Sequence, residues 1–174
     1  KQVMLFSMIA WVLRFGLFAY GNPGDGLWMI ILSCVVYGMA FDFFNISGSL
    51  FVETSTDSKI RSSAQGLFMM MTNGFGAVLG SVTSGFVIDK FFTDKYYNLN
   101  EFLTKFNLTT NNEWVKSLLK DKVVTDNVLD KPIGIIQWEP VWLTFAIYAA
   151  IIAIAFAILF KHKHNPKDVS NISH

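Results

Sequence analysis

One cysteine in 174 residues, Cys34, excludes an intrachain disulfide framework. Charge is also sparse: Asp, Glu, Lys and Arg together make up 16% of the chain, against 52% hydrophobic residues, which is not the balance of an ordinary water-soluble domain. The sequence has no paired-cysteine metal spacing, no H-E-x-x-H, no nucleotide-binding glycine loop and no G-x-S-x-G elbow. No catalytic residue and no metal ligand is therefore assigned. The formal net charge of +1 carries little information, because in a membrane protein the placement of Lys and Arg matters more than their sum.

The sequence does contain long apolar runs. Residues 3–20, 27–52, 64–88 and 140–161 each have the roughly 17 to 25 residues needed to cross about 30 Å of hydrocarbon. The fold class expected is an all-α membrane protein with four transmembrane helices. Cys34 falls within the second of them as small apolar filler. An even number of crossings places both ends on one side. Lys59, Arg61 and the basic tail "KHKHNPK", within 162–174, assign that side to the cytoplasm. His162 and His164 in that tail read as part of a membrane-flanking segment, not as metal ligands. The chain starts at Lys1 with an apolar run close behind and no secretory leader, so a fragment is expected.

The extracytoplasmic side receives the turn "GNPGDG", 21–26, and a long segment over 89–139 with seven lysines against eight acids. Within it, "LNEFLTKF" and "NNEWVKSLLK" have helical spacing, with Asn111 or Asn112 available as a cap. Two short amphipathic helices lying on the outer membrane face are expected. The triplet at Asn107 fits a glycosylation acceptor but is too common to carry weight.

The second span holds the costly residue. On a helical wheel Tyr37, Phe41, Phe44 and Gly48 share one line, while Gly38, Asp42, Asn45 and Ser49 form another roughly 80° around. A carboxylate near a bilayer centre costs about 2.5 to 3.5 kcal/mol, so Asp42 is expected to face a bundle interior or a wet cavity, with an aromatic stripe beside it. Arg14 sits about 13 Å from the depth of Asp42 along the helix axes, at 1.5 Å per residue. It is expected to snorkel toward the headgroups in preference to pairing with Asp42. The third span offers a stripe of small residues, Gly76, Gly80 and Ser84, suited to close helix packing. Ahead of it, Gln65 and Thr72, flanked by Asn73, make a second polar face.

The stretches "LRFGLFAYG", "YGMAFDFFNISGSLFVE", "IRSSAQGLFMMMTNGFG" and "VWLTFAIYA" closely resemble the nucleoside:proton symporters, the nucleoside permease family of the major facilitator superfamily. The resemblance implies that the four spans correspond to helices nine to twelve of such a transporter, with a long extracytoplasmic insertion before the last. It implies an importer of nucleosides that works by alternating access across an inner membrane. The coupling ion would be the proton, with no other cofactor. Tyr37 and Phe41 match family positions that contact the nucleoside, and Asp42 matches the polar or proton-coupling position, to which the wheel adds Asn45. The partners implied are the nucleoside, the lipid bilayer and the missing N-terminal half of the same transporter, with no nucleic acid. The alternatives are a membrane scaffold or assembly subunit using the small-residue stripe, or a non-transporting remnant if the chain is complete as it stands.

Overall fold

A computed structural model describes residues 1–161, so the basic tail with His162 and His164 lies outside the described residues. Within them, four helices are long and apolar enough to cross a membrane: α1 (Gln2–Tyr20), α2 (Leu27–Ser55), a third span over Arg61–Phe91, and α7 (Trp138–Leu159). The third span is not uniform. It comprises α3 (Arg61–Met69), a π-helical segment (Met70–Phe75) and α4 (Gly76–Phe91). The chain divides into two units, one of residues 1–85 with the segment from Trp138 onward, the other Phe86–Gln137.

In the first unit, α1 and α2 form an antiparallel hairpin. Its turn is organised by Asn22, whose Oδ1 accepts the N–H groups of Gly24 (3.0 Å) and Gly26 (3.1 Å). Small side chains at the contact, among them Ser7, Ala19, Ser33 and Ala40, are buried, and this lets the backbones approach. The Ser33 hydroxyl donates to the Arg14 carbonyl across the pair at 3.3 Å. Helix α7 packs along α1, with Phe18 stacked on Trp142 at 4.9 Å and the Lys1 ammonium donating to the Ala157 carbonyl at 2.8 Å. The third span meets the C-terminal half of α2. There the Gln65 amide donates to the Ser49 carbonyl at 2.7 Å, and the Phe68 ring lies where a side chain at Gly48 would project. Gly48 is buried for that reason: a methyl group there would displace the ring. Cys34 is exposed on α2.

The small-residue stripe behaves differently from its expected packing. A Cβ built at Gly80 or Gly85 meets nothing within 4 Å, so among the described residues that face of α4 has no helix against it.

The second unit corrects the all-α expectation. Alongside α5 (Leu99–Lys105) and α6 (Glu113–Leu119) it holds a three-stranded antiparallel sheet in the order β1 (Thr93–Asn98), β3 (Val128–Ile136), β2 (Val124–Thr125). Asp126 and Asn127, at φ 49° and 64°, make the two-residue connection between β2 and β3, the left-handed pair that a tight hairpin turn requires. The apolar faces of α5 and α6 close on the sheet: Phe102, Val115 and Ile133 are essentially inaccessible and share one core with Tyr96, Leu99 and Leu129. These helices therefore cover a sheet, where the sequence reading had them resting on lipid. Asn112 caps α6 by accepting the Trp114 N–H at 2.9 Å. Asn107 ends α5 with φ 51°, while the Leu108 N–H reaches the Leu103 carbonyl at 2.9 Å. This is a C-terminal cap in which asparagine stands in for glycine, giving that residue a backbone role.

Candidate functional site

Helix α2 is 29 residues long, and Phe41 and Asp42 lie at its centre. At 1.5 Å per residue it spans about 43 Å, the thickness of a bilayer with its headgroups, so these two residues fall near the midplane when the helix crosses upright. Here the first unit opens into a cavity of about 490 Å³, within the range of small-molecule sites. Tyr37, Phe41, Phe44 and Asn45 line it from α2, Met8, Trp11 and Phe15 from α1, Thr72 and Asn73 from the π-helical segment, and Phe145, Tyr148, Ala149 and Ile152 from α7.

The arrangement follows from helical spacing. Tyr37, Phe41 and Phe44 recur at i, i+4 and i+7, so their rings share one face, with Tyr37 and Phe41 centroids 5.9 Å apart. Trp11 meets Tyr37 edge-on at 5.4 Å. The walls are thus ring faces and edges with few polar groups, a surface that suits a flat, partly apolar ligand. Among the lining residues, Asn45, Thr72, Asn73, Tyr37, Tyr148 and Trp11 carry polar side-chain groups. The Asn45 amide nitrogen donates to the Phe41 carbonyl at 2.9 Å.

Of the four residues singled out from the sequence, Tyr37, Phe41 and Asn45 come together on the cavity, while Asp42 does not line it. Asp42 is exposed, on the neighbouring face of the helix. The polar line drawn on the wheel therefore splits, with Asn45 on the cavity and Asp42 outside its lining.

Arg14 also departs from its expected place. Its guanidinium lies over the Tyr37 ring, 3.8 Å from the centroid, with Trp11, Phe18 and Phe15 between 5.1 and 5.9 Å away. Its Nε is buried and accepted by no group. Helical side chains lean toward the N-terminus of their helix, which carries the stem from the level of Ser33, opposite Arg14, toward Trp11 and Tyr37. Ring faces attract the cation there, and no ion pair joins Arg14 to Asp42. The guanidinium thus backs one of the rings that line the cavity.

Sequence reasoning missed the contributions of α1 and α7. The signal was present, since Trp11 and Phe15 are four apart and Phe145, Tyr148 and Ile152 recur at i, i+3 and i+7, the same periodicity that marked α2.

The sequence profile described as "Nucleoside H+ symporter" matches residues 1–165. The chain belongs to that family. The xanthosine permease of Escherichia coli (strain K12) is 42% identical over 172 residues, covering 98% of this chain and 32% of that protein. The nucleoside permease NupG of the same organism is 42% identical over 177 residues, covering all of this chain and 33% of its own. A crystal structure of the nucleoside transporter NupG superposes with a TM-score of 0.63 at 41% identity, over 92% of this chain and 31% of that one. The chain thus spans about a third of the length of these symporter relatives, and its spans match part of a solved transporter fold.

Proposed function

We propose that this chain forms the C-terminal portion of a proton-coupled nucleoside importer of the bacterial inner membrane, a two-half transporter of the major facilitator type in which these spans are helices nine to twelve. The termini of the chain lie in the cytoplasm, and the 86–137 unit is an extracytoplasmic insertion. No bond in the nucleoside is made or broken. The observation that carries the reading is the aromatic cavity at the centre of α2, in a chain whose relatives move xanthosine and other nucleosides by name.

The nucleobase rests against Phe41 and Tyr37, where stacking contributes about 1 to 3 kcal/mol per base in systems where it has been measured. Asn45 lines the same cavity and offers a polar carboxamide there. Asp42 serves as the coupling carboxylate. Its charge near the midplane is costly, protonation removes that cost, and it is adjacent in sequence to Phe41, so the two events share one turn of helix. Alternating access follows when proton and nucleoside together favour the closed arrangement of the two halves. The other half comes from the two thirds of the transporter that this chain does not span, and it also covers the open face of α4.

Uptake of labelled uridine by cells expressing the full-length transporter tests this. Phe41→Ala is expected to abolish saturable uptake, and Asp42→Asn to abolish accumulation against a gradient while facilitated exchange persists. Normal uptake in both variants would remove these residues from the mechanism. Intact assembly without any uptake by the parent protein would favour a scaffold.

A further inference from the structure

The third span reaches the cavity through its π-helical segment, Met70–Phe75, where the Gly76 N–H bonds the Met71 carbonyl five residues back. Such widened turns recur at functional sites, and this one aims two adjacent polar side chains, Thr72 and Asn73, into the same cavity. They are not equivalent. The Thr72 hydroxyl is engaged with its own helix, donating to the Phe68 carbonyl at 2.9 Å. The Asn73 amide nitrogen has only the Met69 sulfur, a weak acceptor at 3.5 Å, and its carbonyl oxygen accepts from no described residue.

The level of Asn73 is set by the antiparallel register of α2 and the third span. Ser49 lies against Gln65 and Gly48 against Phe68. Beyond these contacts, Thr72 and Asn73 line the same cavity as Asn45 and Phe41. Asn73 is therefore a carboxamide with free capacity on the same cavity as the ring proposed to hold the base. Stacking alone accepts any base, because every base has a π-face. A carboxamide instead offers a directional donor and acceptor that can meet the exocyclic group on the edge of a nucleobase.

We propose that Asn73 is a specificity-determining residue: its carboxamide hydrogen-bonds the edge of the nucleobase stacked at Phe41 and sets which bases are preferred. This rests on the nucleoside reading above. At the exocyclic 4-position of a pyrimidine, the isosteric carboxylate offers only acceptors, which disfavours the carbonyl of uridine there and accepts from the amino group of cytidine.

The test is the KM of labelled uridine and cytidine uptake by the full-length transporter, normalised to protein in the membrane fraction. Asn73→Asp is expected to raise the uridine-to-cytidine KM ratio about tenfold, the effect of one mispaired buried hydrogen bond. Asn73→Ala, which adds no charge, is expected to reduce the discrimination of the parent, and Thr72→Val to leave the ratio unchanged. A ratio within twofold of the parent in both Asn73 variants overturns the proposal, even if both KM values rise together, as a ribose contact would produce. If that result accompanies loss of uptake in Phe41→Ala, the nucleoside site stands and only base reading by Asn73 falls. If Phe41→Ala transports normally, the site itself falls, and the proposal with it.

Discussion

The two units of this chain solve the same problem in opposite ways. The 86–137 unit hides its large apolar groups, with Phe102 and Val115 at 0% exposure and Ile133 at 1%. The spanning helices display theirs: Ile147, Ile151 and Ile154 on α7 all stand at 60% exposure or more. The first pattern is that of a fold surrounded by water, where burial of apolar area is the main favourable contribution. The second is that of helices surrounded by hydrocarbon, which solvates leucine as well as a protein interior does, so their association relies on close backbone approach and on scarce polar contacts. Ser33 to the Arg14 carbonyl and Gln65 to the Ser49 carbonyl are contacts of that kind.

The contrast is broken most directly by truncating one large side chain on each side of it. Phe102→Ala is expected to destabilise the 86–137 unit by about 3 to 5 kcal/mol, because it empties the centre of a small core. Ile147→Ala, of similar chemistry on α7, should cost less than about 0.5 kcal/mol, because its surroundings are lipid. Hydrogen exchange in detergent micelles would separate the two units, and equal losses would contradict the two-solvent account.

Arg14→Ala comes next. It removes a partly desolvated cation from the face of Tyr37, a contact expected to contribute about 2 kcal/mol. The thermal midpoint in detergent should fall, with Arg14→Lys recovering only part, since a point charge lacks the planar stack. A lysine variant as stable as the parent would show that charge alone suffices.

Asn112→Ala deletes the cap of α6 and should cost about 1 kcal/mol, visible as faster exchange of the amides in its first turn. The smallest effect concerns pH. The Lys105 ammonium sits at 2.5 Å from the Tyr96 hydroxyl with Asp94 at 3.9 Å, and that hydrogen bond above all holds its pKa above the ordinary lysine value. A group raised in the folded state stabilises it fully below the unfolded pKa and loses that contribution as pH rises through the folded one. The 86–137 unit should therefore lose a little stability only in strongly alkaline solution. A Lys105→Met variant should flatten that limb of a pH titration followed by Trp114 fluorescence.

The same two solvents explain what could be read from the sequence. Spans are legible because hydrocarbon demands a long uninterrupted apolar run, and the aromatic face of α2 because a regular helix keeps its period. The strands of the outer unit were not. "TDKYYN" is mostly polar, and "VLDKPIGII" carries Pro132 in what proves to be the central strand, a residue that argues against such a position. The sheet accommodates it with an irregularity, as the β1–β3 register shifts between Tyr96 and Asn98 just past the Tyr96–Ile133 pair. The π-helical segment was equally hidden. One residue of extra girth leaves no compositional trace in "MMTNGF", and the angular positions of Thr72 and Asn73 depend on it. Asp42 shows a different limit, since a wheel gives direction around one helix but not which neighbours stand there.

Cys34 gives the second span a natural probe. Maleimide attack proceeds through the thiolate and needs water at the sulfur. Cys34, exposed on α2 one position after the serine that binds the Arg14 carbonyl, will take up a polar fluorophore only where that flank is hydrated. Labelling a full-length transporter in which Cys34 is the sole remaining thiol would chart which side of this helix meets lipid and which meets solvent.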